Sequence, residues 1–212
     1  MSGWNDFATK IASGAQTPAK RPPTAEDLMI AKINGAISAA MPFSMGWEAF
    51  VPDAYWDDIG KVWTVGHGLT QIPDEVTGKM RAVRKGDKIT QDKSKGLVLR
   101  NYRNNAADMY KNLPWFRRLS QDSMSAALDT AYNAGWGVFS KSKSPALTKK
   151  MSLPGADPDA AYWSEHDTYA SSGGKKVKGL ANRRAAARKA WGPANPTAGA
   201  NTNGVMSVGS GK

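Results

Sequence analysis

The chain has 212 residues, 29 Lys and Arg against 18 Asp and Glu, and a formal net charge of +11 at pH 7. It has no Cys and two well-separated His, His67 and His166, which excludes a disulfide framework, a thiolate nucleophile and the paired-His zinc arrangements. The positive balance attracts anionic polymers in general, but no helix-turn-helix, zinc or RNA-reading signature accompanies it. Neither specific nucleic-acid binding nor a metal or cofactor is expected.

Residues 1–24 read as a short amphipathic helix and a linker. Ser2 can cap, Trp4, Phe7 and Ile11 recur at helical spacing, Gly14 stops the run, and 16–23 is basic and Pro-rich. This segment either docks on a partner or packs back on the main domain. Thr24-Ala25-Glu26-Asp27 then starts a helix with acids in its first turn, and Leu28, Ile30, Ile33, Ile37 and Met41 form an apolar face ending near Pro42. That helix should lead into another carrying Glu48. Lys32, Asn34 and Pro42 make 28–47 too polar and interrupted for a transmembrane span.

Residues 54–56 and 62–66 are short β runs around the turn residues 57–61, a hairpin with a longer loop. Thr90 caps a long helix with Leu97, Leu99, Tyr102, Ala106, Met109 and Tyr110 at helical spacing, and Pro114 breaks it. Residues 121–132, with Met124, Ala127, Leu128 and Ala131 on one face, form the buried central helix, and Asn133, Gly135 and Gly137 end it. Residues 158–169 and 182–191 supply two more helices, and 192–212, rich in Gly, Ala, Asn and Ser, reads as a flexible tail.

The chemistry concentrates in 47–70, where Glu48 precedes the aromatic-flanked acids Asp57 and Asp58, with Thr64 and a Gly-punctuated strand beyond. Glycoside hydrolysis needs one protonated carboxyl for the leaving oxygen and one ionised carboxylate for water or for the sugar carbon. Glu48 and Asp57 can divide these roles. A Glu48 acid requires a pKa raised by apolar neighbours such as Trp47 and Phe50 or by a nearby carboxylate.

Glu48, Tyr55, Asp57, Gly60, Thr64, Val65, Gly66 and Gly68 resemble the Glu…Tyr-x-Asp-x-x-Gly…Thr-[IV]-Gly-x-Gly frame of the phage-type lysozymes, glycoside hydrolase family 24. The match departs at one place: six residues rather than five separate Asp57 from Thr64. Either the turn carries an insertion and Asp57 is the second acid, or Asp58 is; Asp57 keeps the eight-residue spacing from Glu48 and the Tyr-x-Asp frame. His67 stands where the family usually has a bulky residue, and Leu69 where a His is common. Downstream, 86–91, 127–137 and Gly179-Leu180-Ala181-Asn182-Arg183-Arg184 resemble further family segments in order. Ala187 replaces an acid that many members carry.

The resemblance implies an α+β lysozyme-like fold, with a small β-hairpin lobe, a larger helical lobe and a cleft between them. The domain should span 25–191. It implies a muramidase that cleaves the β-1,4 bond between N-acetylmuramic acid and N-acetylglucosamine in peptidoglycan. Glu48 would be the acid, Asp57 and Thr64 would manage water, and Tyr55, His67, Asn133 and Arg183 would line the substrate site. Arg184 accompanies Arg183 either near the cleft, paired with acids of the hairpin lobe, or merely solvated on the last helix. Such an enzyme, made in the bacterial cytoplasm, reaches the wall through a separate pore or is carried on a virion, and the N-terminal segment or the tail would then contact virion components. A lytic transglycosylase, which needs Glu48 but not the Asp57–Thr64 water site, and a non-catalytic wall-binding or virion structural protein are the alternatives. Carboxyls about 6.5–9.5 Å apart would imply inversion and about 5–5.5 Å retention.

Overall fold

The computed structural model describes residues 9–11, 13, 22–58, 60–172 and 175–193. The expected helix through Trp4 and Phe7, residues 16–21 of the expected linker and the tail from 194 onward lie outside the described residues. Residues 9–11 and 13 are helical; Ile11 is fully buried in the main core, and Lys10 pairs with Glu26 at 2.6 Å.

Thr24 opens α1 (Ala25–Trp47) with a reciprocal cap. Its hydroxyl oxygen accepts from the Asp27 amide, while the Asp27 carboxylate accepts from the Thr24 amide and hydroxyl. The cap satisfies amides that have no acceptor within the helix. Ile30, Ile33, Ala36, Ile37, Ala40 and Ser44 recur three and four residues apart and form the buried side. Leu28, expected on that side, is 59% exposed, because two residues before Ile30 it falls on nearly the opposite face. The break expected at Pro42 does not occur: one helix runs to Trp47, with Glu48 as its C-cap. Pro42 is exposed, and so is Ser38, whose carbonyl loses its helical donor there; water can serve that oxygen, so the helix continues. By length and composition α1 is apolar enough to cross a membrane, but its apolar stripe is packed into this domain.

β1 (Val51–Asp57) and β2 (Val62–Gly66) form an antiparallel hairpin in which Tyr55 faces Thr64 and Asp57 faces Val62. The register slips between Val51 and Tyr55, where β1 turns to a different partner. Ala54 donates its amide to the Asp87 carbonyl, and Ile89 donates to the Pro52 carbonyl. A second hairpin, β3 (Gln71–Pro73) and β4 (Met80–Ala82), was not anticipated. Arg81 on β4 binds Asp87 through two hydrogen bonds of 2.7 and 2.8 Å, which hold the Asp87 carboxyl down to about 2. This pair fastens the second hairpin to the segment that also supports β1.

The helical lobe contains α2 (Gln91–Asn112), capped by Thr90, and α3 (Gln121–Ala134), capped by Ser120. It continues with α4 (Pro145–Met151) and α5 (Pro158–Glu165). A two-residue ribbon, β5 (Ser171–Ser172) and β6 (Lys175–Lys176), precedes α6 (Lys178–Trp191). Every residue from Ser123 to Ala131 is buried, which makes α3 the enclosed axis against which α1, α2, α5 and α6 pack. Gly135, at φ 76°, ends it and returns its amide to the Ala131 carbonyl. Two expected boundaries move. The 158–169 helix stops at Glu165 and tightens into a 3-10 turn through Tyr169, and α6 begins four residues before Asn182. The architecture is the two-lobed α+β arrangement that the sequence resemblance implies.

His166, at the start of that 3-10 turn, is fully buried against the Tyr162 and Trp163 rings. Burial, assisted by the Arg184 charge, pushes its pKa down to about 4. Above about pH 4 it is therefore neutral in the folded state, and between there and its ordinary value near 6.5 it takes up a proton on unfolding. The stability associated with it is intact above about pH 6.5 and is lost as the pH falls toward 4, by about 3 kcal/mol in total. Urea unfolding across this window should show a steeper acid loss for the native chain than for His166→Phe, which cannot titrate.

Candidate active site

Glu48 occupies the point where α1 ends and the small lobe begins, with its amide donating to the Ser44 carbonyl at 3.1 Å. Its side chain is partly exposed, and Oε1 accepts from Arg183 Nη1 at 2.6 Å. Oε2 faces Gly68, where an added Cβ would lie 3.3 Å away; Gly68 has φ +79°, a conformation that suits a residue without Cβ. One carboxyl oxygen is thus held from the helical lobe, and the other meets a bare stretch of small-lobe backbone.

Arg183 is held in turn. Its Nε and Nη2 donate to Asp129, the shorter contact being 2.7 Å, and Nη2 also donates to Ser44 Oγ at 2.9 Å. The Ser44 hydroxyl contacts both Asp129 and Tyr102. Arg184 approaches the other Asp129 oxygen at 2.8 Å and donates to Asn133 Oδ1 at 3.1 Å. Asp129 is fully buried, and both Arg residues are nearly so. Burial works against the Arg183 charge, but Asp129 and Glu48 outweigh it and its pKa lies above the ordinary value; for Arg184 burial prevails and the pKa is lowered. These side chains are neither solvated nor paired with hairpin acids. The partner that sequence reasoning missed is Asp129, an acid in the middle of the enclosed helix α3; its isolation among Ala, Leu and Thr is the available signal, since a buried charge needs a paired cation. Ala187 is packed in the core, and Asp129, from another helix, supplies the acid that α6 lacks.

The hairpin register places Tyr55, Asp57, Val62 and Thr64 on one face, because directly paired residues share a side of a sheet. Asp57 lies at the end of β1, whereas Asp58 is in the turn, 85% exposed and 3.7 Å from Lys61. Between the paired Asp57 and Val62, Lys61 has φ 53°. Burial raises the Tyr55 pKa, and the Glu48 and Asp57 charges raise it further; the Tyr55 hydroxyl therefore lies in the fields of both acids. Thr64 is 4% exposed, and its hydroxyl reaches the Val62 carbonyl at 3.4 Å.

His67 is 3% exposed, with its amide and Nδ1 both within 3.1 Å of Ser94 Oγ. An added Cβ at Gly66, where φ is +67°, would lie 2.4 Å from that same Ser94 oxygen, so only glycine allows the approach. Burial and the Lys95 charge lower the His67 pKa against the pull of Glu48. Through Ser94, this buried side chain joins the small lobe to α2. Tyr132 adds a second link by donating its hydroxyl to the His67 carbonyl. Between the lobes runs a cleft of ≈ 470 Å³, with Gly68, Gln71 and Met80 on one wall and Arg100, Tyr132 and Asn133 on the other. Asn133 lines the cleft; Arg183 lies behind Glu48 and is directed inward.

A family model described as phage lysozyme matches residues 45–187. Among solved structures, the active form of the P1 phage endolysin Lyz is similar, with a TM-score of 0.54 at 18% sequence identity, over 76% of this chain and 90% of that one. No curated protein matches the chain.

Removing the Asp129 charge leaves two buried guanidinium groups uncompensated. Asp129→Asn should lose about 3–5 kcal/mol of stability, the scale for breaking a buried ion pair from one side. Denaturant unfolding checks this. An exposed-pair control, Asp58→Asn, should change stability by less than about 1 kcal/mol.

Proposed function

The chain belongs to the phage lysozyme family, and from that premise we propose that it is a muramidase, cleaving the β-1,4 bond between N-acetylmuramic acid and N-acetylglucosamine in bacterial peptidoglycan. Membership makes it a lysozyme-type glycoside hydrolase of peptidoglycan; the bond cleaved and the residue roles are our reading. The observation that supports the reading is the setting of Glu48, held through one oxygen by Arg183 and turned with the other toward Gly68, which lines the cleft.

In this mechanism Glu48 donates a proton to the glycosidic oxygen as the bond to the anomeric carbon breaks. Asp57 draws a proton from water as the water oxygen bonds to that carbon, so one water is consumed and a reducing end is released. Thr64, diagonal to Asp57 on the hairpin face, orients the water. Arg183 is a positioning residue: by holding Oε1 it leaves Oε2 as the oxygen available for proton transfer. Tyr55, more than a third exposed beside both acids, offers a ring face to a sugar. We infer service in phage lysis, with release from the host cytoplasm onto the wall, and virion-borne wall penetration as the other route.

Mass analysis of soluble fragments from purified peptidoglycan should show muropeptides with reducing ends. Glu48→Gln and Asp57→Ala should each slow their release by about a hundred- to ten-thousandfold, whereas Asp58→Ala should retain most activity. Anhydro-muramoyl products would indicate a transglycosylase, and wall binding without fragments a non-catalytic protein.

A further inference from the structure

Among the described residues that line the cleft between Gly68 and Met80, Arg100 carries the charge, and its companions there include the neutral amides Gln71, Asn101, Asn104, Asn105 and Asn133. It projects from α2 and is exposed. Among the described residues no carboxylate lies within ion-pair distance of it; its recorded contact is Nη1 to the Met80 sulfur on β4, at 4.0 Å across the cleft. By contrast, Arg81, Arg183, Arg184 and Arg188 each pair with an acid. A thioether accepts weakly and neutralises nothing. The cleft therefore presents a planar fork of donors that matches the two oxygens of a carboxylate, among amides that can bond neutral groups but cannot balance charge.

We propose that Arg100 is a specificity-determining residue that binds a free carboxylate of the wall polymer. The proposal rests on the muramidase reading and adds to it the substrate group that must be present. Such a carboxylate has two sources in peptidoglycan: the lactyl group of muramic acid where no peptide is attached, and the acidic residues of the stem peptide. Gly68 abuts Glu48, while Met80 is paired with Pro73 further along the small lobe, so Arg100 contacts substrate away from the bond being cleaved. Its removal should weaken binding rather than slow chemistry.

Reducing-end release by the native chain, Arg100→Gln and Arg100→Lys is measured on three substrates. These are intact peptidoglycan, the same material with its carboxyls converted to amides, and glycan strands stripped of peptide by an amidase, which exposes lactyl carboxylates. On intact peptidoglycan Arg100→Gln should raise apparent KM by about ten- to a hundredfold, with kcat changed by less than about twofold. Arg100→Lys, which keeps the charge but loses the fork, should fall between. The native chain should suffer the same rise on the amidated material, where Arg100→Gln shows no further penalty. An Arg100 dependence that persists on stripped strands assigns the lactyl source, and one that disappears assigns the stem peptide. Equal KM for the native chain and Arg100→Gln on intact material, or an unchanged ratio after amidation, overturns the proposal. If the native chain releases no reducing ends, the muramidase reading fails instead. Co-sedimentation with the same three materials then decides: weaker binding of Arg100→Gln to intact wall, with equal binding to amidated wall, supports carboxylate recognition, and equal binding to both overturns it. Thermal melting of the variants checks that loss of this exposed side chain leaves the fold unchanged.

Discussion

Asp129 sits at the middle of α3, sealed from solvent, and its two oxygens receive guanidinium groups from consecutive residues of α6. A charge in that position is tolerable only if cations reach it with good geometry, so α6 must close over α3 with a fixed rotation and depth. Ser44, near the end of α1, joins the same carboxylate, and the rotation of α1 is thereby bound to that of the other two helices. What emerges at the surface is one oxygen of Glu48 held in place. The site is positioned by helices rather than loops, and the group that fixes the acid is itself fixed from behind, which limits rotamer freedom at the cleft.

The small lobe meets that requirement from the other side. Its hairpins are too short to be stable alone, and they depend on contacts between segments: β1 borrows hydrogen bonds from 87–89, Arg81 grips Asp87, and His67 and Ser94 tie the strand end to α2. The Tyr132 hydroxyl then joins the small lobe to the enclosed helix. The two walls of the cleft are therefore linked beside Gly68, which Glu48 approaches, and again by the longer contact between Arg100 and Met80.

The parts of this arrangement that follow local rules were legible in the chain. Thr24 and Thr90 mark helix starts, Gly135 marks a helix end, and the interval from Glu48 to Asp57 identifies the family frame. Pro42 misled because a proline's effect depends on which side of the helix faces water, and one sequence does not state that side. The role of Arg183 was not legible because its partner lies 54 residues away on another helix. Two adjacent arginines near a chain end look like a solvated face until the buried acid opposite them is known. The β3–β4 hairpin has three-residue strands, shorter than any periodic pattern can establish.

The rung between Asp57 and Val62 separates the length of the turn from the geometry of the hairpin. Pairing of Asp57 with Val62 closes the hairpin below the turn, so the number of residues above that rung does not alter the separation of Asp57 and Thr64 across the strands. Distance along the chain and distance in space have come apart at this point. Counting residues between Asp57 and Thr64 measures the length of the turn, whereas the rung measures their separation across the strands. A change in loop length above the rung would leave the ladder positions of Asp57 and Thr64 untouched.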